Sequence, residues 1–230
     1  MSEKKKNYNI NKSKCFADVK YFKKPKCEKK ILYISDSIDI QCDKVIAKEN
    51  IKENVIILKE YSEINLFDEK NKDPALQIIY KMINNEKVQK QLYPRNMNKV
   101  KIHKGLKKWI KNLEESKEKK ILVNIYENNN IELNWLYEKY LYNAFSMYEY
   151  GPIIAIIGAR FNHSCNPNIN FEFNKENGLI IFKTNKKIRK GEELYNTYIN
   201  GNLSLKERRE YLKEHYDFFC QCALCTTEYQ

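Results

Sequence analysis

The sequence predicts a mainly β protein with α-helical insertions, of the α+β class, and three observations carry that expectation. Short apolar runs at strand-like spacing (ILYI, IDIQC, VIAKENI, VIILKE) fill residues 31–60, and strand signals return after Gly151. Between these two regions, from Asp73-Pro74 onward, the apolar residues recur at helical spacing instead. Near the C-terminus a Ser204-x-x-Glu207 capping signal opens one more helix, and the cysteine-rich stretch FCQCALC follows it.

Each element has its own local reason. Residues 1–30 are Lys-rich and aperiodic, which predicts a mobile tail, and residues 31–68 form an N-terminal β region. Asp before Pro is a helix start, and Ala75, Leu76, Ile79, Tyr80 and Ile83 then share one face, so a helix is expected over 74–92. A second is expected through Leu106, Trp109, Ile110 and Leu113. A third should run from Ile131 to Tyr148, completing a helical insert assigned to 69–140. In the region 141–201, Ile169, Phe171 and Phe173 alternate with polar residues, NKENG supplies an Asn-Gly turn, and GLIIFKT returns as the second strand of a hairpin. KKIRKGEELYNTY adds a Gly-containing turn and a short strand, and residues 202–230 carry the last helix and the cysteines.

Composition narrows the function classes. With 230 residues and 42% apolar content, the chain can bury a sizeable core. No apolar stretch approaches the ~18 residues of a membrane span, and the basic N-terminus has no apolar segment behind it, so neither a membrane partner nor secretion is expected. The formal net charge of +12 comes mostly from lysine dispersed along the chain rather than from clustered Arg and Lys, which argues against nucleic acid as the primary partner.

Seven cysteines without a secretion signal read as thiols or metal ligands rather than disulfides. Cys220, Cys222 and Cys225 form C-x-C-x2-C, three ligands where structural zinc wants four. The residues available for the fourth position are Cys165, His163, His215, Cys15, Cys27 and Cys42. If Cys165 supplies it, the C-terminal tail closes over the segment RFNHSCNPN at 160–168, and four thiolates leave zinc no open position for catalysis.

These residues resemble the SET-domain protein lysine methyltransferases, and particularly their SMYD-like branch. Asn162-His163-Ser164-Cys165-x-Pro167-Asn168 is similar to the family's NHSCxPN, GEELYNTYI at 191–199 to its second motif, and ERREYLKEHYDF with CQCALC to its post-SET zinc segment. Residues 45–60 resemble the family's opening strands more weakly. Gln41-Cys42-Asp43-Lys44 stands where the family writes a glycine-rich stretch, and residues 69–130 hold no cysteine, so the MYND zinc finger is absent.

The resemblance implies a SET-domain β-fold with a knot-like crossing, a helical insert and a C-terminal zinc-binding post-SET segment. It implies S-adenosylmethionine on one face and a target lysine entering a narrow channel from the other. Asn162, His163 and Asn143 would hold the donor; at the turn that departs from the family pattern, the cation of Lys44 is suited to the donor's carboxylate. Tyr198 matches the catalytic tyrosine, and Tyr216 and Phe218 would line the lysine channel; on the chemistry of such a channel alone, Tyr195 is a further aromatic suited to it. One structural Zn2+ is expected on Cys165, Cys220, Cys222 and Cys225. The expected partner is a protein substrate, a histone or non-histone lysine, handled by a monomer in the nucleus or cytoplasm as in chromatin regulation. Two competing readings are a SET-fold protein-binding module that has lost turnover, motivated by the missing glycines, and a zinc-stabilised nucleic-acid-binding protein, motivated by the charge.

Overall fold

Four short strands open the fold: β1 (Ile31–Ile34), β2 (Ile38–Ile40), β3 (Val45–Ala47) and β4 (Ile56–Tyr61). The computed structural model describes residues 31–64, 73–147, 151–174, 176–199 and 202–227, and the Lys-rich tail expected over 1–30 lies outside them. β2 and β3 pair antiparallel, joined by the turn at 41–44. β4 crosses to the far end of the chain. It lies between β1 and β9 (Leu179–Thr184), and β9 pairs in turn with β8 (Ile169–Asn174), giving a four-stranded antiparallel sheet in the order β1-β4-β9-β8. The β8–β9 hairpin is the one its alternation predicts, and Gly178 takes a positive φ of 74° in the turn.

The helical insert differs from expectation in three places. The helix expected over 74–92 is two, α1 (Pro74–Ile83) and α2 (Glu86–Gln91). Asn85 divides them, because its side chain accepts the Val88 amide at 3.2 Å and starts a new helix where the first would have continued. After α3 (Leu106–Asn112) comes a helix the sequence reading did not anticipate, α4 (Lys117–Asn128), capped by Ser116 and burying Leu122. Its contiguous apolar run ILV hides a helical period among lysines. The helix expected over 131–148 is α5 (Asn130–Asn143), which ends earlier because the chain extends into β5 (Ala144–Ser146) to pair with β6 (Pro152–Ile154).

Lys139 on α5 ties the insert together. It is fully buried, and its ammonium donates to the carbonyls of Gln89 at 2.8 Å, Leu92 at 2.7 Å and Pro94 at 2.8 Å, and sits 4.1 Å from the Trp135 ring centroid. Burial, with a contribution from Arg95, lowers its pKa to about 8. The three carbonyls take all three ammonium protons, which fixes the course of residues 89–95 toward the β2–β3 turn.

Two strands of two residues each form the centre of the molecule. β7 (Asn162–His163) lies parallel to β10 (Tyr195–Asn196). Beyond them Ser164 N donates to Asn196 O at 2.9 Å, and Asn168 N to Tyr195 O at 3.2 Å. The Asn168 amide donates to Glu193 O at 2.9 Å, and its Oδ1 accepts Tyr195 N at 2.7 Å. The polar segment at 162–168 is therefore crossed and bound along its length by residues 193–196. The last helix, α6 (Leu205–Tyr216), starts at the capping box its sequence announces and ends at Asp217 with φ 61°, before α7 (Ala223–Thr227).

The approach to β7 is held from below by Glu60. Its carboxylate is buried and accepts Ile157 N at 3.0 Å and Gly158 N at 2.9 Å. Gly158 admits no larger residue without movement, since a Cβ there would lie 2.7 Å from Phe182 Cζ. Burial raises the Glu60 pKa from 4.5 to about 7. The folded chain thus binds this proton more tightly than the unfolded chain, so the group's stabilising contribution is full below pH 4.5 and lost as pH rises through about 7. Urea unfolding between about pH 5 and about pH 8 should show a loss of about 3 kcal/mol or less from this group. Glu60→Gln should remove that component, and an unchanged pH dependence in the variant would assign it elsewhere.

Candidate active site and metal centre

The site forms where β7, β10, the end of α6 and the β2–β3 turn meet. Asn162 joins two of these: its amide donates to Asp43 O at 2.8 Å and to Glu193 Oε1 at 2.7 Å. The other carbonyls of the turn are held as well, Gln41 O by Arg160 at 3.2 Å and Cys42 O by the Arg95 guanidinium. Without a glycine, the turn is pinned against the polar segment by Arg160 and Asn162 and against the insert by Arg95. It brings the backbone of Asp43, next in the chain to the half-buried Lys44, against Asn162.

His163 is buried and uses both ring nitrogens. Nδ1 accepts the Tyr198 amide at 3.0 Å, and Nε2 lies 3.3 Å from Cys165 Sγ. Burial, with Arg208 nearby, lowers its pKa to about 4 and keeps the ring neutral.

Tyr198 is half-buried, and its hydroxyl donates to Phe161 O at 2.9 Å. Burial and the neighbouring Tyr216 hold that hydroxyl protonated, well above the ordinary tyrosine range. Its ring centroid stands 4.9 Å from Tyr216 and 5.3 Å from His163, and Phe218 stands 6.0 Å from His163. Tyr216 continues to Tyr142 at 6.3 Å, and Tyr142 to Tyr93 at 5.9 Å. Tyr198, Tyr216 and Phe218 are thus brought together around His163.

Two residues sit differently from the roles expected of them. Tyr195 faces a cleft instead of the Tyr198–Tyr216 pair: its hydroxyl donates to Glu193 Oε2 at 3.0 Å, and burial together with Glu193 pushes its pKa up to about 12. The cleft has a volume of about 570 Å³ and is lined by His163, Glu193, Tyr195 and Phe218 with Lys186 and Cys222. Asn143 spends its amide within the chain, donating to Tyr93 O at 2.6 Å and Lys139 O at 2.8 Å and accepting Tyr93 N at 3.3 Å. Arg95 and Glu193, which the sequence reading did not single out, are both here. Glu193 lay within a quoted motif, but Arg95 is brought in by the insert's packing and had no local signal.

The four cysteines assemble as the ligand count requires. Cys165, Cys220, Cys222 and Cys225 place their sulfurs within 4.8 Å of one another, with Cys165 at 3.8 Å from Cys220 and 3.4 Å from Cys225. Zinc–sulfur bonds of about 2.3 Å in a tetrahedron put sulfurs about 3.8 Å apart, so the cluster fits a structural zinc. Such an ion ties the C-terminal segment to residue 165. Arg208 lies at the cluster with Nη2 at 3.8 Å from Cys225 Sγ, a cation suited to a dianionic tetrathiolate.

A parallel two-strand crossing, a half-buried tyrosine beside it and a tail gathered by four cysteines together define a SET-type domain. The family model of the SET domain matches residues 43–199, and the chain belongs to that family. It is 32% identical over 191 residues to the SET domain-containing protein L678 of Acanthamoeba polyphaga mimivirus, covering 79% of this chain and 72% of that one. It is 34% identical over 86 residues to the histone-lysine N-methyltransferase set5 of Schizosaccharomyces pombe, covering 37% of this chain and 27% of that protein. Among solved structures, the SET domain of LSMT bound to lysine and AdoHcy aligns with a TM-score of 0.53 at 15% identity, over 83% of this chain and 54% of the other. The likeness to LSMT is one of fold. The chain spans about a quarter of the yeast enzyme's length.

Proposed function

We propose that the chain is an S-adenosylmethionine-dependent protein-lysine N-methyltransferase acting on a histone or another protein. The observation that carries this reading is Tyr198: a protonated hydroxyl held at Phe161 O, walled by Tyr216 and His163, at the crossing of the two family motifs. Membership of the SET family and the activity of the yeast relative support it.

The donor, when bound, supplies an electrophilic methyl group on a sulfonium. What remains for the protein is to present a neutral amine in line. A free lysine, pKa ~10.4, costs roughly 4–5 kcal/mol to deprotonate at neutral pH, and a dry aromatic enclosure beside a cation lowers that cost. Tyr198 and Tyr216 provide the enclosure, and their hydroxyls orient the nitrogen. His163 and Phe218, on the cleft, suit an adenosine, and Asn162 and Lys44 suit the amino-acid end. The exposed guanidinium of Arg95, at the same turn, offers a second cation for the donor's carboxylate.

Lys44→Ala should weaken donor binding about tenfold by calorimetry, the loss of one charge-assisted contact. An unchanged affinity would reduce the turn at 41–44 to a strand connection. The reading as a whole is tested by donor binding and labelled methyl transfer to histones and to cell extract. A protein that binds the donor and transfers nothing would be the binding module instead.

A further inference from the structure

The four sulfurs of the cluster are each met by an N–H donor, but the donors differ in what else they do. Cys220 Sγ accepts Cys222 N at 3.5 Å, Cys222 accepts the backbone amides of Cys225 and Cys165, and Cys225 lies by Arg208. Cys165 alone of the four faces a side chain, His163 Nε2 at 3.3 Å, that is also bonded to the reactive end of the site.

The ring's second bond determines where its proton is. A backbone amide can only donate, so the Tyr198 N–H at 3.0 Å requires a bare Nδ1. In a neutral imidazole the one proton is then on Nε2, and the atom it meets is Cys165 Sγ. A metal-bound thiolate can only accept, and it accepts more strongly than a thiol. We propose that His163 is a positioning residue whose Nε2–H is anchored by the metal-bound sulfur of Cys165 and whose Nδ1 holds the backbone of Tyr198, so that metal occupancy sets the placement of the tyrosine.

The consequence for activity rests on Tyr198 acting as proposed above, but the linkage itself does not. The imidazole packs against Tyr198 at 5.3 Å and Phe218 at 6.0 Å, so a ring that turns when its sulfur anchor is lost disturbs the tyrosine of the enclosure and the phenylalanine of the cleft together. The metal thereby does more than staple the tail. It fixes one ring, and that ring fixes the residue whose hydroxyl meets the amine.

The test is made on the full chain with the metal replaced by the spin-active isotope of cadmium. A through-bond correlation between cadmium and the His163 Nε2 proton, with a nitrogen shift for Nδ1 typical of an unprotonated acceptor, is the expected result. Absence of the correlation, or a proton on Nδ1, overturns the proposal. His163→Phe keeps an aromatic ring and deletes both bonds: chelator-driven zinc release should quicken about tenfold or more from a protein that still holds one zinc, as when a metal ligand loses its supporting hydrogen bond. Release at the parent rate also overturns it. Should the variant fail to fold, the cadmium measurement on the parent decides. Neither readout needs methyl donor or acceptor, so a protein that proved not to be a methyltransferase would leave both intact, and failure of the linkage would show in them alone.

Discussion

Tyr198→Phe should fold, bind the methyl donor like the parent, and transfer methyl groups roughly 10²-fold more slowly, the size of effect that follows loss of one preorganised polar contact in a water-poor site. The ring and its packing on Tyr216 and His163 are retained, and the one atom removed is the oxygen that donates to Phe161 O. Leaving that carbonyl without its partner costs about 1–2 kcal/mol of stability. The rate effect exceeds the stability effect because the hydroxyl orients the amine more usefully in the transition state than in the ground state. Single-turnover transfer and donor calorimetry on the same preparation separate the two. A variant as fast as the parent would remove Tyr198 from the mechanism, and one that cannot fold would make it a core residue.

The second large effect is expected at Cys165. It is the one ligand supplied by the polar segment, and the other three lie between residues 220 and 225. Cys165→Ser should lower zinc below one per chain and free the C-terminal segment. A loss of about 3–5 kcal/mol, at roughly 3 °C per kcal/mol for a chain of this length, lowers the melting temperature by about 10–15 °C. The change also withdraws Phe218 and the end of α6 from the site, so transfer should fall with the metal. Parent-like zinc content by elemental analysis would assign the fourth ligand to another residue.

Legibility of the fold followed the range of the signals. The β8–β9 hairpin, the capping box of α6 and the Asp73-Pro74 start of α1 are local, set by a turn pair, a four-residue cap and a fixed φ, and all three stand where their residues announce them. Asn85 was harder to read, because an asparagine inside an apolar period is neutral until its side chain finds the Val88 amide. α4 is hard to read because three of its first four residues are lysine and its apolar residues, Ile121, Leu122, Val123, Ile125 and Tyr126, are crowded into the rest. The two-residue strands β7 and β10 have no period at all, and they became visible through the motifs they carry.

Much of the site was legible for the same reason. Cys165 meets Cys220, Cys222 and Cys225, and Tyr198 meets Tyr216 and His163, across separations that no local pattern predicts but that family motifs record. Arg95 at the β2–β3 turn and the engagement of Asn143 with Tyr93 depend on how the insert packs through Lys139, which is particular to this chain's tertiary structure. Tyr195 was grouped with the other tyrosines by composition. Strand geometry turns it to the cleft and Glu193.

The most direct measurement is the fate of an isotopically labelled methyl group. Zinc-loaded protein is incubated with labelled donor and a mixture of histones and cell proteins, and the products are hydrolysed to amino acids. Label recovered as methyl-lysine, and strongly reduced with Tyr198→Phe, is the predicted result. Donor binding without labelled lysine, or label that persists unchanged when the Tyr198 hydroxyl is removed, would contradict it.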